Sequence, residues 1–403
     1  MAWSCVLFDT VTGRLAEPID VPSMSWSLTV SDCSARTERD EGGEGLSEAA
    51  GTGLTLPWGA VPGADRQARM RAVASHRRGL ALMWDGSPVV AGAIGDRTDT
   101  AADTSFDLVG PMGLLESRYL GGVEYFGQAK GSKTKWTLKY RGRSLRGIAA
   151  DLVRRFTEEK DGGGLPVDLP YAGEEGSHDR TYHGYNVQNN SCRKLLDEIA
   201  SVEGGPDIQL RPYLADASHL RWRMEAGSDS EPALRGGSPT PLVQCLSGGS
   251  GGTAYGLSVA WQGPVMRVWG TGAGQDEGTL CCLADDLSLC ERDDPWPLVE
   301  ATESDSDWDT AALVRSHTRA ALERQRMPLC QIACRVQAAD PANPVVPGRV
   351  WPGQRVDLVV EGFPSLPDGT YALRLMEMSG DLSGEVSLTF DPIDDPWEAG
   401  VPS

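Results

Sequence analysis

The sequence predicts a mainly β protein with an α+β insertion, in which two small β-barrel-like domains flank one α+β module. Three observations support this fold class. The 403 residues include 48 Gly and 26 Pro, and the apolar runs are mostly short, which is typical of brief strands and turns. Only one long stretch, 136–225, combines alternating strands with helical apolar spacing. A chain of this length also exceeds one ordinary core and indicates several domains.

The order of the domains follows changes in composition along the chain. We predict an N-terminal β-barrel-like domain at 1–130, an α+β module at 131–230, a second β-barrel-like domain at 231–392 with one helix at about 309–326, and a C-terminal tail at 393–403. The barrels themselves are expected at about 20–125 and 235–390. All six lysines lie between Lys130 and Lys194, which supports a separate central module.

Short alternating strands predict the N-terminal barrel. They are expected at 3–8, 24–30, 54–57, 79–84, 88–94 and 105–110. Asp85-Gly86 has the composition of a tight hairpin turn, and an acidic loop covers 37–48. Antiparallel strands of this kind must close on themselves or be covered, so we expect a small barrel or sandwich.

The α+β module is predicted from two capped helices and three strands. Ser144 is an N-cap for a helix over 144–159, and Asn190 or Ser191 begins a second helix over 191–203 that stops at Gly204-Gly205. Alternating strands are expected at 136–140, 207–214 and 219–224. The apolar faces that should be buried comprise Leu145, Ile148, Leu152 and Phe156 in the first helix and Cys192, Leu195, Leu196, Ile199 and Val202 in the second.

The second barrel is predicted from strands at 242–246, 255–261, 265–269, 329–336, 356–360, 370–377 and 384–390. Asp307 or Asp309 is expected to cap the helix of this domain, and Pro328 to end it. The helix should bury Ala311, Leu313, Val314, Ala321 and Leu322.

Nine cysteines occur without a CxxC pair, so their spacing does not predict structural zinc. Cys281, Cys282 and Cys290 are near one another in sequence but lack the paired short loops of a zinc site. Cys330 and Cys334 alternate with apolar residues along one strand, which indicates a place in the core.

Three further patterns superficially match functional motifs. Gly248, Ser250 and Gly252 fit G-x-S-x-G, but a strand follows where a nucleophile elbow needs a helix, so we interpret them as a hairpin loop. Gly270, Gly272 and Gly274 likewise lack the helix that a dinucleotide loop requires. His178, Asp179 and His183 lie in a glycine-rich loop at a spacing that does not favour a metal site. No catalytic, cofactor-binding or metal-binding residue is therefore predicted.

The charge distribution is acidic apart from one cluster. The formal net charge of −20 opposes binding to nucleic acid through phosphates, and it would suit a conduit through which DNA passes without sticking. Basic and aromatic residues do gather at 136–146: Trp136, Lys139, Tyr140, Arg141, Arg143 and Arg146. Such a cluster is more often a solvated face or a protein contact than a nucleic-acid site. No segment is apolar enough to span a membrane, and no secretory signal begins the chain.

Several segments together resemble minor tail proteins of long-tailed, siphovirus-type phages of actinobacteria, specifically the baseplate-hub or tail-associated type. The resemblance rests on LLDEIASVEGGPDIQLRPY, LRWRMEAG, MRVWGTGAG, PLVEATESDSDW and VWPGQRVDLVV. It extends from about Ser25 to Pro392 and carries no catalytic motif.

The resemblance implies tail-tube-like barrels, a homotrimeric ring in the virion tail tip, and synthesis in the host cytoplasm. The implied partners are a distal tail protein, the tape-measure protein and other tail-tip or fibre proteins, with DNA passing without specific binding. Two alternatives are a tail-associated cell-wall hydrolase, which would need an acid and a base or a metal that the sequence does not reveal, and a glycan- or receptor-binding tip protein. The twelve tryptophans favour the latter, although Trp26, Trp84, Trp136 and Trp222 fall in predicted strands and suit a core or subunit contact.

Overall fold

The computed structural model describes residues 2–30, 54–122, 135–237, 239–246, 250–326 and 329–393. Strands dominate these residues, and the predicted fold class, mainly β with an α+β insertion, is confirmed. The predicted acidic loop and nearly all of the predicted C-terminal tail lie outside the described residues. The predicted domain ranges stay a prediction. Among the helices of the described residues, none combines the length and apolarity that a membrane crossing needs.

The N-terminal part is built on an open antiparallel sheet. Its elements are β1 (Trp3–Asp9), β2 (Leu15–Ile19), β3 (Trp26–Thr29), β4 (Leu54–Pro57), α1 (Arg66–Ala72), β5 (Arg78–Trp84), β6 (Ser87–Asp99), β7 (Asp103–Val109) and α2 (Pro111–Glu116). Six strands form the sheet in the order β2-β1-β5-β6-β7-β4. The predicted hairpin turn between β5 and β6 is confirmed: Asp85 and Gly86 have φ of 48° and 78°, the left-handed pair that matches the twist of the strands.

The central module contains the two predicted helices. Its elements are β8 (Thr137–Arg143), α3 (Leu145–Thr157), β9 (Val167–Asp168), β10 (His178–His183), α4 (Cys192–Ala200), β11 (Ile208–Asp216) and β12 (His219–Ala226). The Ser144 hydroxyl accepts a hydrogen bond from the Gly147 amide at 3.0 Å, and the Ser191 hydroxyl accepts one from the Lys194 amide at 3.2 Å. Both caps satisfy amides that the first helical turn leaves without partners.

The C-terminal part contains the largest sheet and a smaller inserted one. Its elements are β13 (Leu242–Cys245), β14 (Ser250–Gly251), β15 (Ala254–Gln262), β16 (Arg267–Thr271), β17 (Cys281–Asp285), β18 (Glu300–Ser304), α5 (Ala311–Gln325), β19 (Leu329–Gln337), β20 (Arg355–Val360), β21 (Gly369–Gly380) and β22 (Glu385–Pro392). The large sheet runs β13-β20-β21-β22-β19-β15-β14. A bridge between Cys245 and Gly252 joins its two ends, so the sheet closes like a barrel.

Three predicted assignments in this scheme are wrong. The strand at 24–30 was assigned to the N-terminal barrel, but β3 pairs with β21 of the C-terminal sheet, where Trp26 lies opposite Gly380. The strand at 265–269 was assigned to the second barrel, but β16 belongs to the separate sheet β17-β16-β18. Helix α5 is capped by Thr310, whose hydroxyl accepts from the Leu313 amide at 3.2 Å.

The N-terminal sheet lies between two hydrophobic cores. Alternate residues of β5 enter different cores: Leu80, Leu82 and Trp84 pack toward the C-terminal sheet. Ala81 and Met83 pack toward the central module. Burial on both faces explains why nearly every residue of β5 and of the first part of β6, residues 88–95, is apolar or glycine rather than every second one.

Candidate assembly surface

The prediction that Cys330 and Cys334 lie in a core strand is confirmed. Cys330 and Cys334 are buried in β19, and burial raises the pKa of the two thiols to about 11 and about 12. A thiol held neutral in this way is a poor nucleophile and a poor metal ligand. Within the described ranges, no three His, Cys, Asp or Glu side chains form a group that could hold a metal ion.

The histidines predicted to lie in a glycine-rich loop are instead in β10, which pairs with β8. The Nε2 atom of His178 is 3.5 Å from the carboxylate of Asp229. The ring of His183 stacks on Tyr185 at 5.1 Å between centroids. The two histidines therefore have separate partners, and the strand places them five residues apart with opposite orientations.

Gly270 within β16 and Gly272 directly after it allow α5 to pack closely on the sheet. A Cβ atom at Gly270 would lie 1.8 Å from Oγ1 of Thr318 in α5. A Cβ atom at Gly272 would lie 2.5 Å from Cγ2 of Val314 in α5. Both positions therefore require glycine because α5 lies directly on the sheet. Of the G-x-S-x-G pattern, Ser250 and Gly252 adjoin the β14–β15 hairpin, whereas Gly248 lies outside the described residues.

The structure divides the basic and aromatic cluster at 136–146 into two groups. Arg146 is bound to Glu174 by two hydrogen bonds of 2.6 and 2.7 Å, which raise the pKa of the guanidinium. Arg143 donates to the carbonyl oxygen of Gly173. Tyr140 is buried in the core of the module. These side chains have structural partners inside the module.

Lys139 and Arg141 of β8, together with Lys135 just before the strand, are exposed and form a surface that we call the basic face. Trp136 is half-buried and packs against the core of the module. Thr181 and His183 of β10 lie across from Lys139 and Thr137. Lys135, Lys139 and Arg141 form no ion pair with a described residue, whereas Arg146 pairs with Glu174.

A second exposed surface lies on the outer side of the inserted sheet. Trp269 of β16 is directly opposite Leu283 of β17 and Thr302 of β18. The two apolar side chains remain 46% and 45% exposed, whereas Val268, which faces α5, is fully buried. Tryptophans in strands are predicted to lie in the core or at a subunit contact. Trp26, Trp84 and Trp222 are buried. The exposure of Trp269 was not predicted, although Trp269 and Gly270 are neighbours in a strand and must face opposite sides of the sheet.

A polar junction holds the inserted sheet and α5 against the central module. The Lys194 ammonium and the Asn189 amide both bind the Asp307 carboxylate, the latter at 2.9 Å. Asp307, a predicted cap, instead lies three residues before the actual cap, Thr310. Glu198 lies next to this junction, and burial raises its pKa to about 7. The Lys194 ammonium lowers this pKa by a smaller amount, and the carboxylates of Asp307 and Asp305 raise it slightly.

Comparisons with known proteins match the fold and not the sequence. No protein-family model matches the chain, and no curated protein matches it significantly in sequence. The tail protein from Neisseria meningitidis MC58 superposes with a TM-score of 0.52 at 12% identity, over 98% of this chain and 97% of that one. The 43 kDa tail protein of prophage MuSo2 from Shewanella oneidensis superposes with a TM-score of 0.51 at 11% identity, over 98% and 99%. The chain therefore has the fold of these tail proteins over nearly its whole length.

Proposed function

We propose that this protein is a structural component of a phage tail tip. In this role it forms a baseplate hub ring that closes or extends the tail tube, docks other tip proteins and lets DNA pass at ejection. The observation that carries the proposal is the similarity of fold to two tail proteins over 97% and 99% of their chains. Because the similarity includes both large sheets and the module between them, it applies to the whole architecture rather than to one common domain.

The proposed assembly is a homotrimer. Each chain contributes two large sheets, so three copies would present six similar units to a sixfold tail tube. The N-terminal sheet ends in β2 and β4, which no ladder joins within the described residues, and a neighbouring subunit could pair with such edges. The proposed partners are a distal tail protein, the tape-measure protein, and further tip or fibre proteins. The sequence resemblance adds a long-tailed actinobacterial phage as the proposed source.

The proposed role needs no catalysis, and we propose that the protein is not an enzyme. Two of the least exposed carboxylates have structural partners: Asp151 is buried and pairs with Arg154, and Asp307 pairs with Lys194 at the polar junction. A formal charge of −20 supports a ring through which DNA moves without binding. A zymogram on host cell wall tests this part, and a cleared band that depends on this protein would contradict it.

Location in the particle is the direct test of the role. Gold-labelled antibodies against the protein should bind intact phage particles at the tail end distal to the capsid. Native mass measurement of the purified protein or tail tip should give three copies. The tail-tip role would be excluded if the label bound the capsid or the whole length of the tube. It would also be excluded if the particles lacked the protein.

A further inference from the structure

The basic face belongs to a stretch whose charge is opposite to that of the rest of the chain. Residues 125–150 contain seven Lys or Arg and no Asp or Glu, in a chain of net charge −20, so the remaining residues carry a net charge of −27. Four of the six lysines lie within it. A charge asymmetry this large creates a local potential that attracts an acidic partner.

The structure shows which of these cations are available to a partner. Arg143 and Arg146 are engaged within the module, at Gly173 and Glu174. Lys135, Lys139 and Arg141 are exposed and have no ion-pair partner among the described residues. Alternation places Lys139 and Thr137 on the same side of β8, and exposed Lys135 and Arg141 lie close to them in sequence.

An exposed aromatic pair borders the same surface. Tyr185 is 70% exposed, the largest exposure among the described large apolar or aromatic side chains. Its ring stacks on His183, which lies across from Thr137 at the end of the β8–β10 strand pair. Tyrosine and arginine are enriched in protein–protein contacts, where a rigid ring buries a large area at a small entropic cost.

We propose that the basic face of one copy docks on the acidic surface of a second copy of this chain. This inference rests on the proposed ring, for which it supplies a subunit contact. Because a basic surface meets a different, acidic one, the contact is heterologous, the type that builds rings. Charge complementarity favours this occupant, since the rest of each copy is strongly acidic. The same acidity repels phosphates, which disfavours nucleic acid as the occupant.

Charge reversal on the face tests the contact. In Lys139→Glu/Arg141→Glu, the dissociation constant for self-association should rise by about 100-fold or more, because like charges would then oppose each other. Wild-type association should weaken with added salt, which screens exposed charges beyond roughly 10 Å at 0.1 M. The control is Arg66→Glu/Arg71→Glu on α1, which changes the net charge equally at two other exposed arginines and should assemble as the wild type. Circular dichroism should show the same fold in all three proteins.

Cross-linking identifies the occupant. A zero-length carbodiimide reagent, applied to a mixture of isotopically light and heavy copies, should join Lys139 or Lys135 to an Asp or Glu of the other copy. The inference would be overturned if the face variant assembled as the wild type does, or if the wild type were monomeric. It would also be overturned if labelled DNA bound the wild type and did not bind the face variant. Gold label at the tail tip together with normal assembly of the face variant would reject this contact and leave the proposed function intact.

Discussion

Single residues at the polar junction link solution pH to the attachment of the inserted sheet. Glu198 lies on α4 beside Lys194, with Asp305, Asp307 and Arg180 also acting on its carboxylate. Burial is the largest cause of its raised pKa, about 7 against an ordinary 4.5. The folded state therefore holds this proton more tightly than the unfolded chain, so the contribution of Glu198 to stability falls as pH rises from about 4.5 through about 7.

Glu198→Gln should remove this pH dependence, because the amide stays neutral at every pH. At pH 8 the variant should be more stable than the wild type by about 2 kcal/mol, after allowance for solvent at a half-buried side chain. At pH 4 the two should be nearly equal. Chemical unfolding at both pH values measures the difference, and equal stabilities at pH 8 would show that Glu198 is not held in an unfavourable charged state.

Leu152 and Leu196 belong to the apolar faces predicted for α3 and α4, and both are at most 2% exposed. Leu152→Asp or Leu196→Asp should each lower the free energy of unfolding by several kcal/mol, roughly 3 to 5, because an unpaired charge would enter the core. Val11, 58% exposed in a turn, is the matched control, and Val11→Asp should have little effect. Unchanged melting of either leucine variant would contradict the assigned helix faces.

At the scale of secondary structure elements, the sequence predicted what local signals specify. Serine caps and apolar spacing located α3 and α4, and Asp85-Gly86 located the best hairpin. It did not predict α1 and α2, which have seven and six residues and show too little periodicity. The partner of β3 depends on pairing with residues about 350 positions away, which local spacing cannot specify.

The candidate surfaces, like the secondary structure elements, were predictable from the sequence only where local signals specify them. The sequence shows the basic cluster at 136–146 but not that Arg143 and Arg146 have internal partners, since Gly173 and Glu174 are about 30 residues away. The exposure of Trp269 depends on which face of its strand α5 covers. In the sequence, only Gly270 and Gly272 indicate which face is covered, because the lack of a side chain at these positions lets α5 approach the sheet.

Gly270→Ala should displace α5 from the inserted sheet, because the new methyl group would collide with Thr318. We expect a loss of about 1 to 3 kcal/mol, typical of overpacking. Thr318→Ala removes the nearest atom, so the double variant should recover part of the loss. Gly278→Ala is the control in the same unit, where a Cβ atom would meet nothing within 4 Å. A double-mutant cycle of thermal unfolding that shows simple additivity would exclude the collision.

At the scale of the whole molecule, the N-terminal sheet joins the two ends of the architecture. One face completes the core shared with the C-terminal sheet, and the other completes the core of the central module. Trp222 of β12 is fully buried and meets Phe8 of β1 edge-on at 5.7 Å. The module at 131–230, although predicted from its composition as a domain, therefore obtains part of its core from residues before position 122.

A fragment of residues 131–230 should consequently fold poorly by itself. Loss of the N-terminal sheet would expose Trp222 and remove Phe8, Met83, Met112 and Leu115 from its core. Burial of each such side chain stabilises by roughly 1.5 to 3 kcal/mol, so losing several exceeds the stability of a small domain. The fragment should bind an apolar dye, melt without a sharp transition, and show red-shifted Trp222 fluorescence in a Trp136→Phe background. A cooperative melt without dye binding would instead establish the module as an independent domain, and the contact between Phe8 and Trp222 would then join two domains that are already folded.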